Sequence, residues 1–234
     1  MKKLSLLLVA LIVIATTTVS GQKPFSGTIK FKSQITGTED PNVLSQTIPD
    51  MEMSVLGNLS MVVLPQEGVS ITNIVNGDSK TSFTVIEITG MGKYYIETNE
   101  AEIKEKRKFY DFKYEYLDDT KVIAGYTCKK VKSTITDLET DEEEVIIYYV
   151  SNEISSNDLL NFTQYPGLVG FPLSIETPMG ETAPGAIMVI EATEVLTSKK
   201  LKPIDFLLPS DAKNIKEDPE LMKMFGMGGE TSEE

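Results

Sequence analysis

"FSGTIKFKSQITG", residues 25–37, is the stretch that decides the fold class. Apolar and polar side chains alternate along it with a period of two, which places one set on each face of an extended strand. One face carries Phe25, Ile29, Phe31 and Ile35, and the other carries Ser26, Thr28, Lys30 and Lys32. The stretch therefore predicts a strand with one face against a core and the other in water.

Most of the chain after this strand has the same character. Apolar stretches on either side of Gly57-Asn58 and of Asn76-Gly77-Asp78 predict two hairpins, because these residues tolerate the positive φ of tight turns. Further strands are predicted at 92–98, 108–117, 121–136, 143–151, 170–177 and 185–197. Helical patterns occur only at 156–162 and 217–225. The short connections favour antiparallel neighbours, so the predicted fold is mainly β: a single curved antiparallel sheet with one or two short helices.

Two strands depart from simple alternation. Residues 145–150, "VIIYYV", are apolar on both faces, which predicts that both sides of this strand are covered, as over a helix or an enclosed cavity. In residues 125–135, Tyr126 and Cys128 fall on one face but Val131 and Ile135 on the other. Either a bulge near Lys129-Lys130 shifts the register, which we favour, or both faces carry apolar groups.

The first 21 residues have the properties of a secretory signal peptide. Two lysines precede an apolar run at 4–15, and small polar residues lead to Val19-Ser20-Gly21. The apolar run is shorter than the roughly 20 residues that a membrane-spanning helix needs. We predict cleavage after Gly21, a β domain over 22–212, and an acidic, methionine-containing and loosely ordered tail over 213–234. The mature protein is then exported, without a transmembrane segment, to the periplasm, the outer membrane or the outside of the cell.

The charge balance argues against one class of partner. The chain has 22 basic and 35 acidic residues, and loss of the two leader lysines takes the net charge from −13 to −15. A surface of this sign repels phosphate backbones. We therefore expect no nucleic-acid partner.

Cys128 is the single cysteine, and the chain contains no histidine. A thiolate–imidazole pair cannot form, and one cysteine cannot make an intramolecular disulfide. We interpret Cys128 as a small buried hydrophobic residue; a reactive or dimer-forming thiol is the alternative. Transition-metal sites lose their commonest ligands in such a composition, so we predict no metal and no cofactor. The acidic residues 137–145 are interpreted as a solvated hairpin turn between strands.

Four segments together resemble a known group of exported proteins. The segments are "KVIAGYTCKKV" (121–131), "VIIYYVSNEI" (145–154), "YPGLVGFPLSIE" (165–176) and "FLLPSDAKNI" (206–215). In this order they are similar to exported proteins of Bacteroidota named for a Gly-Leu-Pro-Gly-Leu-Ile motif and to related domain-of-unknown-function proteins, although "QYPGLVG" replaces the motif itself. The resemblance covers about residues 25–216 and implies an exported, mostly β protein without assigned chemistry. The layout also resembles, at the level of fold, the half-barrels of periplasmic lipoprotein carriers.

These patterns favour a binding protein over an enzyme. The chain has no Gly-x-Ser-x-Gly elbow and no phosphate-binding glycine loop. The first hypothesis is a non-enzymatic carrier or sensor of a lipid or acylated ligand, held on the inner face of the sheet. The alternative is a structural or protein-interaction module of the cell envelope with a filled core. A hydrolase would need two carboxylates facing each other in a cleft. The predicted ligand-binding residues are Phe31, Ile86, Tyr149, Leu168 and Phe171.

Residues 165–173, "YPGLVGFPL", are predicted to form a rigid loop that enters a strand, because its prolines restrict the chain and its glycines permit turns. Leu168, Val169 and Phe171 are interpreted as core plugs in preference to a lid over a pocket.

Overall fold

The computed structural model describes residues 24–46, 49–154, 166–198 and 200–227. Twelve strands run through these residues. They are β1 Ser26–Thr36, β2 Met51–Leu56, β3 Leu59–Gln66, β4 Val69–Asn76, β5 Thr81–Ile88, β6 Gly92–Asn99, β7 Tyr110–Ile123, β8 Tyr126–Asp137, β9 Glu143–Ser151, β10 Phe171–Pro178, β11 Ile187–Thr197 and β12 Lys213–Asn214. The predicted signal peptide lies outside the described residues.

All twelve strands belong to one sheet, in the order β12-β6-β5-β4-β3-β2-β1-β11-β10-β9-β8-β7. The sheet is curved and does not close into a barrel. Every pairing is antiparallel except that of β12 with β6. The prediction of a mainly β protein built on a single curved antiparallel sheet is therefore confirmed.

Within the described residues, three short α-helices accompany the sheet: α1 Pro41–Leu44, α2 Glu100–Arg107 and α3 Pro219–Met224. Single 3₁₀ turns lie at Gly180–Thr182, Pro203–Phe206 and Ile215–Glu217. The helix predicted at 217–225 corresponds to α3, which Asp218 caps by accepting hydrogen bonds from two backbone amides. The helix predicted at 156–162 lies outside the described residues.

The strand predicted at 121–136 is in fact divided between two strands. A tight turn at Ala124 and Gly125 separates β7 from β8, and both residues have positive φ, 48° and 87°. Two-residue hairpin turns need that conformation, which glycine adopts at no steric cost. Residues 121–123 therefore end β7, and β8 begins at Tyr126.

The predicted register shift near Lys129-Lys130 lies in the neighbouring strand. Residues 117–119 of β7 bulge out between Tyr116, which pairs with Val131, and Thr120, which pairs with Lys129. β8 itself keeps a regular register with β9. Apolar groups lie on both sides of β8, because Cys128 and Val131 belong to different apolar clusters. A bulge bends its strand. After the bulge in β7, Lys121 forms an ion pair with Glu191 of β11, although three strands separate β7 from β11 in the sheet.

The C-terminal segment is more structured than the sequence indicated. Lys213 and Asn214 pair in parallel with Tyr94 and Tyr95 at the β6 edge, and Ile215 is fully buried. The ring of Phe225 packs on that of Tyr94 at a centroid distance of 5.5 Å. The expectation of a loosely ordered tail from residue 213 is thus wrong for 213–225, because this segment covers an edge that would otherwise expose unpaired backbone groups.

The largest apolar cluster forms around β1, as its alternation predicts. Phe25, Ile29 and Phe31 are buried, whereas Lys30 and Lys32 are on the other face of the strand. The same cluster includes Val55, Cys128, Phe171 and Leu173 from three other strands. The middle of the sheet is thereby joined to the β7–β8 hairpin by one continuous core.

Candidate functional site: an apolar pocket on one face of the sheet

An apolar pocket of about 220 Å³ lies on the face of the sheet that carries Phe31. Six strands contribute side chains to it. The lining residues are Phe31 of β1, Met51 and Met53 of β2, Val62 and Leu64 of β3, Asn73 of β4, Phe171, Pro172 and Ile175 of β10, and Ile190 of β11. The alternation of each strand explains the set, since Met51 and Met53, like Val62 and Leu64, are two residues apart.

The pocket depends on the curvature of the sheet. β4 and β10 are the outermost of six consecutive strands that line it. In a flat sheet the two strands would be roughly 24 Å apart, because neighbouring strands are spaced by about 4.8 Å. Side chains from both strands border the same small cavity only because the sheet curves around it. Curvature thus turns an apolar sheet face into a concave site.

The chemistry of the lining is almost entirely apolar. Asn73 is the one polar side chain among the lining residues, and none of them is ionisable. Such a pocket gains free energy from burial of hydrocarbon, about 0.8 kcal/mol per CH₂ group. It contains no pair of carboxylates, so it does not meet the requirement for a carboxylate hydrolase.

Asn73 is fixed by a cross-strand hydrogen bond. Its direct partners are Thr84 in β5 and Val62 in β3. The Thr84 hydroxyl donates to Asn73 Oδ1 at 2.9 Å, which holds the carbonyl end of the amide towards β5. Nδ2 is the other polar end of this amide, and the Asn73 side chain lines the pocket.

The structure places the five predicted ligand-binding residues in different environments. Phe31 and Phe171 line the pocket. Ile86 lies on the same face of the sheet as the pocket, because it pairs with Ile71, which is on the same side of β4 as Asn73. It does not line the pocket, because the lining ends at β4 and Ile86 is in the next strand, β5. Only two of these three residues therefore meet in the pocket.

Tyr149 and Leu168 lie elsewhere. Tyr149 does not line the pocket, although it packs against the apolar cluster that contains Phe31 and Phe171. It pairs with Ser174, which in turn pairs with Glu191, so at that point of the sheet it is on the face opposite Ile190. The Lys121 ammonium stands 5.5 Å from the centre of its ring. Leu168 is buried in a separate cluster with Val131, Tyr148 and Val150.

Of the predicted core plugs in residues 165–173, two are confirmed and one is wrong. Leu168 and Phe171 are buried, with 4% and 1% exposure, whereas Val169 is 65% exposed. The backbone of Val169 is nevertheless fixed, since its amide donates to the Tyr116 hydroxyl at 2.7 Å. The loop therefore buries the side chains of Leu168 and Phe171 and leaves that of Val169 in solvent.

Met51 and Met53, two pocket residues that sequence reasoning missed, had a visible signal. In "MEMSVL", residues 51–56, Met51, Met53 and Val55 alternate with polar or small residues, which indicates one apolar face. Residues 61–64, "MVVL", are apolar at every position, so alternation does not show which face Val62 and Leu64 occupy. The pairing register of β3 is needed to place them on the pocket side. No pattern in the sequence indicates that Asn73 is a pocket residue and not one of the asparagines that are common in turns.

A broader hollow lies on the other side of β1–β3. It measures about 440 Å³ and is bordered by Lys30, Asp50, Glu52 and Val63 among others. Lys30 pairs with Glu194 at 2.8 Å, and the hydrogen bond and charge of that glutamate raise the Lys30 pKa. Both partners of this pair are about half exposed, so the hollow is a charged, solvated surface, unlike the apolar pocket.

Cys128 is buried, as predicted. Its side chain has no exposed area, and its Sγ donates to the Tyr126 carbonyl at 3.6 Å. Burial, the largest cause, raises the pKa of the thiol to about 11, and the negative charge of Glu153 acts in the same direction. A thiol of this kind is protonated at neutral pH and is a poor nucleophile.

No protein-family model matches the sequence, and no curated protein matches it.

Within the described ranges, no group of three or more acidic, cysteine or histidine side chains is arranged to hold a metal ion. In the same part of the chain, no helix has both the length and the apolar character needed to cross a membrane.

Proposed function

We propose that this protein is an exported, non-enzymatic binding protein that carries or senses a lipid or another apolar ligand in the curved face of its sheet. The observation that supports the proposal is the pocket of about 220 Å³ lined by nine apolar side chains and Asn73. Ligand sites for drug-sized molecules typically measure roughly 300–1,000 Å³. The pocket therefore suits a short apolar group or one segment of an acyl chain.

The proposal includes export through a cleaved leader over residues 1–21. It is supported by the charge and apolar pattern of that segment. N-terminal sequencing of the protein recovered from the cell envelope tests this part, and a mature chain that begins at Gln22 is the expected result. A chain that keeps Met1 would contradict it.

The binding function is tested by filling the pocket. Val62→Phe places a ring in the lining, whereas Val63→Phe is a matched control on the same strand, because Val63 pairs with Glu52 and borders the charged hollow instead. We expect Val62→Phe to weaken binding by about tenfold, since exclusion of about two CH₂ groups costs about 1.6 kcal/mol. Val63→Phe should leave the affinity unchanged.

The measurement is a fluorescence titration of the purified mature protein with an uncharged acyl ester that carries a fluorophore, together with mass spectrometry for co-purified lipid. Absence of both co-purified lipid and probe binding would reject the carrier function. Equal effects of the two variants would show that the probe binds outside the pocket.

A second candidate function, an interaction module of the cell envelope, is favoured by a different feature. β7 is a 14-residue strand at the end of the described sheet, and Tyr110, Tyr116 and Val122 along it are exposed. Edge strands of this kind accept an added strand from a partner. Hydrogen exchange of the 110–116 amides tests it, because a protein partner that docks there slows exchange at these amides and a lipid in the pocket does not.

A further inference from the structure

A hydrogen bond to Thr84 orients the side-chain amide of Asn73 within the pocket. Thr84 Oγ1 donates to Asn73 Oδ1 at 2.9 Å, so the carbonyl end of this amide is already engaged on the β5 side. The Nδ2 end carries two N–H donors. It is therefore the donor end of the amide that is left to face the apolar cavity.

The lining contains no group that would hold an anion. Its other nine residues are apolar, and the nearest charged side chains on β1 and β2, Lys30 and Glu52, are on the opposite face because they alternate with Phe31, Met51 and Met53. A carboxylate in this pocket would lose its water without gaining a cation, which is unfavourable. A neutral carbonyl oxygen loses less on dehydration and regains a hydrogen bond from Asn73.

We propose that the pocket selects a neutral acyl group, an ester or an amide, whose carbonyl oxygen accepts a hydrogen bond from Asn73 Nδ2. Asn73 lies on β4, at one end of the lining strands, and Phe171 and Ile175 lie on β10 at the other. The carbonyl is bound at the β4 end, and the hydrocarbon chain runs across the strands towards β10. This selectivity rests on the proposed function of the pocket as an apolar-ligand site.

The test compares three ligands of the same chain length at pH 7.4: a methyl ester, the free acid and the alkane. Each displaces the fluorescent ester from the purified mature protein. We expect the ester to bind about fivefold more tightly than the alkane, as one neutral hydrogen bond implies. The ionised acid should bind more weakly than the ester.

Two variants assign this preference to Asn73. Asn73→Leu should abolish the difference between ester and alkane while it keeps alkane binding, which also shows that the pocket remains folded. Thr84→Val removes the hydroxyl that orients the amide and should reduce the preference for the ester. Its matched control, Thr72→Val, lies on β4 on the face opposite Asn73 and should change nothing.

The outcomes distinguish a failure of the ester selectivity from a failure of the proposed apolar-ligand binding. Equal affinities of ester and alkane in the unmodified protein, or a preference that survives in Asn73→Leu, would overturn the role of Asn73 and leave the apolar pocket in place. Tighter binding of the acid than of the ester would overturn the neutral-ligand selectivity. Failure of all three ligands to bind would instead reject the proposed function itself.

Discussion

At the scale of single residues, burial rather than any partner sets the chemistry of Cys128. Its side chain lies in an apolar cluster with Ile123 and Leu173 and has no exposed area. The ionised thiolate is disfavoured there, so the pKa rises from 9.0 to about 11. The thiol therefore acts as a core side chain.

The Cys128 thiol should be unreactive in the folded protein. The folded protein should react with iodoacetamide at pH 8 far more slowly than the protein in denaturant, because the thiol is both inaccessible and protonated. Mass spectrometry of the alkylated protein measures the two rates. Comparable rates would mean that Cys128 is exposed in solution.

A pH dependence of stability follows from the same pKa shift. The folded-state pKa is raised above the unfolded value, so the contribution of the thiol is fully present below pH 9 and is lost as the pH rises to about 11. Over this window the free energy of unfolding should fall more steeply for the unmodified protein than for Cys128→Ala. Urea denaturation at several pH values measures the difference, and parallel pH profiles would contradict it.

Residue-level prediction succeeded where alternation within one strand was enough. Phe31 follows from the pattern of 25–37 alone and does line the pocket. Tyr149 does not follow in the same way, since 145–150 is apolar at every position and either face fits the pattern. Only the pairing of Tyr149 with Ser174 decides its side of the sheet.

At the scale of elements, the C-terminal segment stabilises one edge of the sheet. β12 pairs with β6, and the ammonium of Lys216 bonds to the Glu97 carbonyl and to the Glu102 carboxylate of α2. Ile215, which lies between Asn214 and Lys216 in the chain, has no exposed area. The segment therefore acts as a cover for β6 and not as a free tail.

Substitution of Ile215 tests this role. Ile215→Ala should lower the free energy of unfolding by roughly 2–5 kcal/mol, as expected for removal of a fully buried isoleucine side chain. The control is Ile204→Ala, because Ile204 lies in the same part of the chain but is 69% exposed, and its change should stay within about 0.5 kcal/mol. Chemical denaturation measures both. Similar small effects would mean that the segment is detached in solution.

The two helices α2 and α3 differ in how well the sequence predicts them. α3 was predictable from Asp218 before a short apolar stripe. α2 was not predicted, because "EAEIKEKR" has no buried face; it is held by its cap and by ion pairs of Glu100 with Lys80 and of Glu102 with Lys216. Asn99 and Glu102 form a reciprocal capping box, with hydrogen bonds of 2.9 and 3.1 Å. A helix without an apolar stripe gives no periodic signal, although its capping residues are visible in the sequence.

At the scale of the whole molecule, the excess of acidic residues acts on stability. A net charge of −13 implies self-repulsion, and the described ion pairs are largely solvent-exposed and individually weak. Added salt screens the repulsion, since the Debye length falls from about 30 Å at 0.01 M to about 8 Å at 0.15 M. The fold should therefore be more stable in moderate salt.

The corresponding prediction is a melting temperature that rises by about 2–4 °C between 10 and 150 mM NaCl at pH 7.4, which corresponds to about 1 kcal/mol for a protein of this size. Thermal denaturation followed by circular dichroism measures it. At pH 5, near the sequence pI of about 4.6, the effect should shrink because little net charge remains. A lower melting temperature in salt would mean that ion pairs outweigh repulsion.

The local sequence pattern was enough to predict the strands, most of their ends and the single curved antiparallel sheet, because alternation and turn residues act within a few neighbouring positions. It also determined that Cys128 is buried and that Phe31 belongs to the inner face of β1. Tertiary structure decided the bulge in β7, the cover over β6 and the set of side chains that form the pocket. These depend on register and curvature, which arise only when strands far apart in the chain pair and bend together. For that reason Asn73, which no local pattern distinguishes, faces the same cavity as Phe171.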